Sequence, residues 1–248
     1  MAEGVFKKIF SNREFLNYEA LGADMHSHFI PGIDDGSASV EESIEMLQEL
    51  MRMGYRKFIT TPHIQPEFFP NTEDIIRQKT TELKAELEKR NFKCDLIAAA
   101  EYYVDENFLS SIGNRRLLTF GEQYVLIEVS MMAKSGDLEK VIFELILQGY
   151  KVVLAHVERY PYMYENRLDY YASLKDKDVL LQVNLRSFIG QYGEIQKKIA
   201  RELAEKNMID MLGTDMHKPL QLKMLSDAMH DEHVQKLLRE NKLLNKTL

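Results

Sequence analysis

The chain has 248 residues, 45% of them hydrophobic and 29% charged, and a formal net charge of -7. A chain this long holds a full core in one or two domains without staples; its single cysteine, Cys94, excludes a disulfide scaffold and a thiolate zinc cluster. The acidic balance, with no basic patch beyond pairs such as Arg115-Arg116 and Lys197-Lys198, argues against nucleic-acid binding.

Met1 to Ala20 lacks the apolar run of a signal peptide, and no stretch approaches the roughly 18 apolar residues of a membrane span. The expectation is a soluble, cytoplasmic protein without membrane insertion. After an N-terminal extension over 1–21, Gly22–His28 reads as a strand. Ser39-Val40-Glu41-Glu42 is a capping box that opens a helix through Met53, with Ile44, Leu47, Leu50 and Met51 on one face and Gly54 at the C-terminal position. Strand Lys57–His63, a helix over Asn71–Arg90, and strands Asp95–Tyr103 and Tyr124–Ser130 follow. Helix Ser135–Gln148, strand Val152–Val157, helix Glu165–Asp176, strand Val179–Leu185, helix Tyr192–Lys206 and strand Ile209–Asp215 come next. A helical tail over 219–248, its helix running from Pro219 to about Asn245, completes the chain. Short β-branched runs alternating with helices predict successive βα units on a parallel sheet in one domain over 1–248; seven units fit a barrel better than an open sheet, though periodicity alone does not close it. Barrels of this kind carry their chemistry at the C-terminal ends of the strands.

The polar residues of interest fall at those ends. The first strand ends Asp24-Met25-His26-Ser27-His28, and alternation predicts Asp24, His26 and His28 on one face, close enough for the two imidazoles to share a metal. His-x-His alone is a weak signal. The following Pro31-Gly32-Ile33-Asp34-Asp35-Gly36 turn either presents two carboxylates to the strand end or is an Asx-turn before a helix. Other strands end in His63, His156 and Asp215-Met216-His217, while Glu101 and Glu128 interrupt apolar runs where an unpaired carboxylate is costly. One such Glu reads as a structural ion pair; two, beside histidine-bearing strand ends, strain that explanation. Five of the seven histidines (26, 28, 63, 156 and 217) sit at strand ends, and His230 and His233 read as solvated residues of the tail. Nitrogen and oxygen donors without sulfur suit Mn, Fe or Zn, in more than one ion.

The set His26-x-His28, Asp34-Asp35-Gly36, Thr61-Pro62-His63, Glu101, Glu128, Ala155-His156-x-Glu158-Arg159-Tyr160 and Asp215-x-His217 resembles the polymerase-and-histidinol-phosphatase (PHP) family. The closer resemblance is to its branch of bacterial tyrosine-protein phosphatases of capsule and exopolysaccharide loci, over residues 22 to 218. The resemblance implies a distorted (β/α)7 TIM-like barrel with three divalent metal ions, commonly manganese. It implies a first ion on His26, His28, Glu101 and Asp215, a second on Glu101, Glu128 and His156, and a third on Asp35, His63 and His217. Asp35, Glu101 and His156 thereby join Arg159, which matches the branch's phosphate-binding arginine, as catalytic candidates. Related members carry a further arginine beyond Asp-x-His. Here the stretch His217 to Lys223 has none, which leaves Lys218 and Lys223 as substrate-binding candidates without the bidentate fork.

The expected reaction is phosphomonoester hydrolysis, in which a hydroxide generated between the cations attacks phosphorus while Arg159 binds its oxygens. The resemblance implies a phosphotyrosine protein substrate, a bacterial tyrosine kinase of polysaccharide export. A small-molecule phosphatase, such as histidinol phosphatase, and a non-catalytic metal-binding regulatory module are the alternatives. Asp24 and Asp34 are candidates for orienting the ligating histidines. A cysteine-based phosphatase is excluded: it needs Cys-x5-Arg, and Ala100 stands six residues after Cys94.

Overall fold

The computed structural model describes residues 15–240 and 242–248. In it the Ser39 hydroxyl accepts from the Glu42 N–H at 3.2 Å, while the Glu42 carboxylate reaches back to the Ala38 N–H at 2.9 Å. That cap opens α1 (Val40–Arg52), which buries Met46, Leu47 and Leu50. Thr72 caps α2 (Glu73–Lys89), its hydroxyl accepting from the Ile75 N–H at 3.2 Å. The remaining helices are α3 (Glu106–Ser111), which the periodicity does not predict, α4 (Leu138–Leu147), α5 (Arg167–Lys175), α6 (Glu194–Glu205), α7 (Leu222–Met229) and α8 (Glu232–Glu240).

Every strand pairing is parallel. β1 (Ala23–Asp24), β2 (Lys57–Thr60) and β4 (Asp95–Ala98) form one ladder. The second runs β3 (His63–Ile64), β5 (Glu101–Tyr103), β6 (Tyr124–Glu128), β7 (Lys151–Leu154), β8 (Leu180–Asn184) and β9 (Met211–Gly213). β2 and β3 are halves of one predicted strand, broken at Thr61-Pro62 because Pro62 has no N–H to give a ladder. β4 and β5 are likewise one run, interrupted at Ala99-Ala100. Seven physical strands result among the described residues. The first meets the last through a parallel bridge between Ser27 and Met216, with the Asp215 N–H on His26 O at 2.8 Å and the His28 N–H on Met216 O at 2.9 Å. The architecture is the expected distorted TIM-like barrel.

Strand alternation divides the core. Val125, Ile127, Val152, Leu154, Leu181 and Val183 pack in the large cluster beneath the helices. Their alternates Leu126 and Val153 join Met25, Ile59, Ala99, Ala155 and Met211 in a smaller cluster that fills the barrel.

The C-terminal tail is not one helix. It breaks between α7 and α8, and the last residues turn back under the barrel. The fully buried Asn245 side chain accepts from the Leu212 N–H at 2.9 Å and donates to Leu212 O at 2.7 Å and Ala23 O at 3.1 Å, tying β9 to β1 at the end opposite the site. Leu244 and Leu248 pack against the interior cluster. Asn245→Ala strands three buried backbone groups and is expected to cost about 2–4 kcal/mol in urea unfolding; a loss under about 1 kcal/mol would show that the strands close without it. At the other terminus, residues 1–14 of the predicted extension lie outside the described residues. Tyr18 is buried, and its hydroxyl donates to Leu225 O at 2.8 Å.

Candidate active site

Sheet register assembles the site. His63 of β3 stands opposite Glu101 of β5, and Tyr103 at the end of β5 stands opposite Glu128 of β6. Glu101, only 1% exposed, faces four imidazoles. Its Oε2 lies 3.2 Å from His26 Nε2, 3.5 Å from His28 Nε2 and 3.2 Å from His63 Nδ1, and its Oε1 lies 3.0 Å from His156 Nε2. Asp215 Oδ1 approaches the Nε2 atoms of His26 and His28 at 3.6 and 3.7 Å. Asp35 Oδ1 lies 3.3 Å from His217 Nε2 and 3.5 Å from His63 Nε2. The nine ligand candidates therefore gather at the C-terminal ends of the strands. Three groups have donor atoms close enough to hold an ion: His26, His28 and Glu101; His63, Glu101 and Glu128; and His28, Asp35, His63 and His217.

One grouping departs from what the resemblance implies. His63 Nδ1 is 2.8 Å from Glu128 Oε1, whereas His156 Nε2 is 3.9 Å from Glu128 Oε2. His63 presents one ring nitrogen to Glu101 and Glu128 and the other to Asp35, so it stands between two of the groups. Strand position fixes which loop end a histidine occupies, but not which way its ring turns.

The tautomers show why these atoms need a cation. The Gln182 Oε1 accepts the His156 backbone N–H at 2.8 Å, so the His26 Nδ1 facing that oxygen at 3.1 Å is the protonated nitrogen. His28 Nδ1 likewise donates to Asp34 Oδ2 at 2.8 Å, and His217 Nδ1 to Asp215 O at 3.0 Å. Each neutral ring is left with a lone pair on Nε2. Those of His26 and His28 point at each other across 3.4 Å and at carboxylate oxygens beyond. Lone pair against lone pair is repulsive unless a positive charge lies between them. His63 Nδ1 and His156 Nδ1 are buried without a hydrogen-bond partner, the former despite its closeness to Glu128. The donor set fits divalent metal ions.

Ionisation points the same way. Burial works against a charged His26, but Glu101 and Asp215 outweigh it and lift the ring to about 9. His63, also opposed by burial, is raised by Glu101 and Glu128 to about 10. Burial and the neighbouring His217 push His28 down to about 4. Burial favours the neutral acid at Glu101 and Asp215, yet the surrounding histidines hold both well below the ordinary carboxylate range. Carboxylates buried this deeply favour positive charge beside them.

Backbone geometry aims several of these groups. His156 and Asp215 are non-glycine residues in the left-handed region, with φ of 31° and 50°, at the ends of β7 and β9. Strain of this kind persists where the surroundings over-determine it, as at a ligand site. In the Asp34-Asp35-Gly36 turn, both readings of the sequence hold. Asp34 Oδ1 accepts the Gly36 N–H at 2.9 Å as an Asx-turn does, while its Oδ2 orients His28 and Asp35 projects to His63 and His217. A Cβ on Gly36 would lie 2.4 Å from both the Cβ and the carbonyl oxygen of His28, so only glycine fits.

A profile of the family described as "Capsular polysaccharide synthesis, CpsB/CapC" matches residues 22–242. The chain belongs to the CpsB/CapC family. This is the branch whose motifs it resembles. The tyrosine-protein phosphatase CpsB of Streptococcus pneumoniae is 30% identical over 202 residues, 78% of this chain and 82% of that protein. A solved chain from the pair YwqE from Bacillus subtilis and CpsB from S. pneumoniae, described as unique metal-dependent tyrosine phosphatases, aligns with a TM-score of 0.73 and 26% identity, covering 89% of this chain and 95% of the other. A histidinol phosphate phosphatase from Lactococcus lactis shares the fold, with a TM-score of 0.54 and 19% identity over 89% of this chain and 93% of the other.

In this CpsB/CapC chain the ligand groups open into a cavity of about 500 Å³, lined also by Phe69, Met131, Arg159, Arg186, Tyr192 and Lys218. Arg159 donates through Nη1 to Asp215 Oδ2 at 3.1 Å and lies over the Tyr192 ring at 4.4 Å. Lys218 lines the cavity with its ammonium on Gly36 O at 2.5 Å. Lys223, in contrast, is on the exposed face of α7, where it pairs with Asp227, and does not line the cavity. Asp24 does not orient His26 either. Regular pairing of β1 ends at Asp24, whose carboxylate accepts from the Thr214 N–H at 3.0 Å and hydroxyl at 2.7 Å. Gln182 does that work instead. Cys94 lies just before β4, at the opposite end of the barrel, where burial and then Asp95 push its thiol up to about 11.

The residues missed from sequence are Gln182, Asn184, Arg186 and Tyr192. Gln182 and Asn184 are fully buried and joined by a 2.9 Å hydrogen bond, and Asn184 also donates to Asp215 Oδ2 at 2.7 Å. Polar residues two apart in the apolar run Val179–Leu185 were the available signal. No helix among the described residues is long and apolar enough to cross a membrane.

Proposed function

We propose that this chain is a cytoplasmic, metal-dependent protein-tyrosine phosphatase whose substrate is a phosphotyrosyl protein, a bacterial tyrosine kinase of capsule or exopolysaccharide assembly. The observation that carries the reading is Glu101, a buried carboxylate facing four imidazoles, two of which, those of His63 and His156, line a cavity that also holds an arginine. The names of the relatives support the substrate class. The cofactors are three divalent cations, manganese foremost with iron or zinc as substitutes. His26, His28, Glu101 and Asp215 would hold the first, Glu101 and Glu128 with His63 or His156 the second, and Asp35, His217 and His63 the third. When bound, the cations supply a water acidic enough to attack phosphorus at neutral pH and neutralise phosphoryl charge.

The chain's own residues do the rest. Arg159, pinned on one side by Asp215 and Tyr192, offers its remaining N–H groups to phosphoryl oxygens. Phe69 and Met131 give the cavity an apolar wall against which a phenyl ring packs. A phenolate leaving group, with a pKa of about 10, departs with little help from a general acid.

The test is hydrolysis of p-nitrophenyl phosphate, a phosphotyrosyl peptide and histidinol phosphate by manganese-loaded protein, with and without chelator. The phosphotyrosyl peptide should be preferred. Equal turnover of histidinol phosphate would redirect the reading to a small-molecule phosphatase, and no hydrolysis at all would leave a metal-binding module. Arg159→Ala should lower kcat/KM by about 10²–10³ while elemental analysis finds the metal content intact; metal loss in that variant would make Arg159 a support for Asp215 instead.

A further inference from the structure

We propose that Arg186 is a second anion-binding arginine of this cavity, gripping the phosphoryl group opposite Arg159. The ligand class, a phosphate monoester or inorganic phosphate, rests on the phosphatase reading; the unpaired charge that calls for an anion does not. Arg186 is 1% exposed, and among the described residues no carboxylate lies within 4.0 Å of its guanidinium. Buried guanidinium groups are almost always paired, because the desolvated charge is otherwise strongly unfavourable. An anion on this side of the cavity would balance it.

The side chain is held in place without being neutralised. Its Nε and Nη2 donate to the carbonyl oxygens of Thr214 at 3.3 Å and Asp215 at 2.7 Å. Carbonyls fix the plane of the fork but carry no net charge, and they occupy two of its five N–H groups. The Tyr192 ring has Arg159 over it at 4.4 Å and Arg186 at 5.3 Å, so one tyrosine steers two guanidiniums toward a common cavity. Tyr192 itself is tied to Asp215 Oδ2 at 3.2 Å. The backbone around Arg186 is pinned as well: the buried Glu158 carboxylate accepts the Asn184 N–H at 3.0 Å and the Ser187 hydroxyl at 2.5 Å. An arginine serving only to brace two carbonyls would have no need to border the cavity beside another arginine. A tetrahedral dianion with several oxygens uses both forks.

The deciding measurement is the affinity of the manganese-loaded protein for inorganic phosphate, by calorimetry, in wild type, Arg186→Met and Arg186→Lys. Arg186→Met should weaken phosphate roughly 10- to 100-fold, with metal content unchanged. KM for p-nitrophenyl phosphate should rise with it. Arg186→Lys keeps the charge but loses the fork, and should fall between the two. Guanidinium ion added to Arg186→Ala should recover part of the phosphate affinity, which a purely structural brace would not allow. Wild-type phosphate affinity in Arg186→Met overturns the proposal. Should that variant lose metal, wild-type affinity in fully loaded Arg186→Lys, with no guanidinium rescue of Arg186→Ala, overturns it equally. A wild type that binds phosphate through Arg186 but hydrolyses no ester would sink the phosphatase reading alone, because the titration needs no turnover.

Discussion

Glu101→Gln is expected to strip the protein of most of its metal and to lower kcat/KM for p-nitrophenyl phosphate by more than about a thousandfold. The substitution preserves shape and alters charge. Glu101 places Oε2 within 3.5 Å of three ring nitrogens and Oε1 at 3.0 Å from a fourth, and it is the carboxylate common to two of the three donor groups. An amide in its place removes a negative charge at a residue only 1% exposed, where water cannot compensate. It also turns an N–H2 toward one set of imidazoles. The rings of His26 and His28 are tied through Nδ1 to Gln182 and Asp34, so they keep their lone pairs in place while losing the anion that balances a cation. Elemental analysis of the purified variant beside wild type is the primary readout, with hydrolysis as the second. Full metal content together with more than a tenth of wild-type activity would remove Glu101 from the centre of the site.

The βα repeat and the residues that gather at the strand ends were legible in the sequence because both follow from local pattern. Strand alternation and helix caps are short-range, and a histidine or glutamate at the end of an apolar run stands out against its neighbours. His26, His28, His63, His156 and His217 were found that way, with Glu101 and Glu128 as charges where none should be buried. What was not legible depends on long-range register or on side-chain rotation. Asp24 was expected to share a face with His26, but regular pairing stops at Asp24 and its carboxylate turns to Thr214, 190 residues away in sequence. The orienting group for His26 came instead from Gln182, which looked like an ordinary residue of a strand. Arg186 lies one residue beyond the predicted strand end, away from the stretch after Asp215-x-His217 where related members carry their arginine. Gln182, Asn184 and Arg186 recur at every second position, and that period was the missed clue. Lys223 was a candidate only by proximity in sequence, and the turn of α7 carries it outward. Asn245 was read as the end of a helix; its role as a clasp between β1 and β9 has no local signature.

Manganese binding to the stripped protein at pH 7.5 is expected to expel protons, and the stripped protein should lose stability as pH rises from 7 toward 10. His26 at about 9 and His63 at about 10 hold protons in the metal-free fold, against about 6.5 in an unfolded chain. Groups raised in the folded state contribute stability that is complete below the unfolded value and lost as pH climbs through the folded one. Above pH 6.5 the metal-free fold therefore binds more protons than the unfolded chain, and its stability falls with pH. Both rings lean on Glu101, so their contributions overlap rather than add, and together they amount to a few kcal/mol. A ligating imidazole must be neutral, so each cation that enters displaces the protons standing in for it. Calorimetric titration in buffers of differing ionisation enthalpy reads that release directly. Thermal midpoints across pH 7 to 10, with chelator and with manganese, read the stability: the two curves should diverge as pH rises, because the loaded protein has exchanged titratable charges for fixed ones. A midpoint of the stripped protein that stays level to pH 10, with no proton release on loading, would mean that His26 and His63 are neutral in the empty site and that their lone pairs face the carboxylates without any bridging charge.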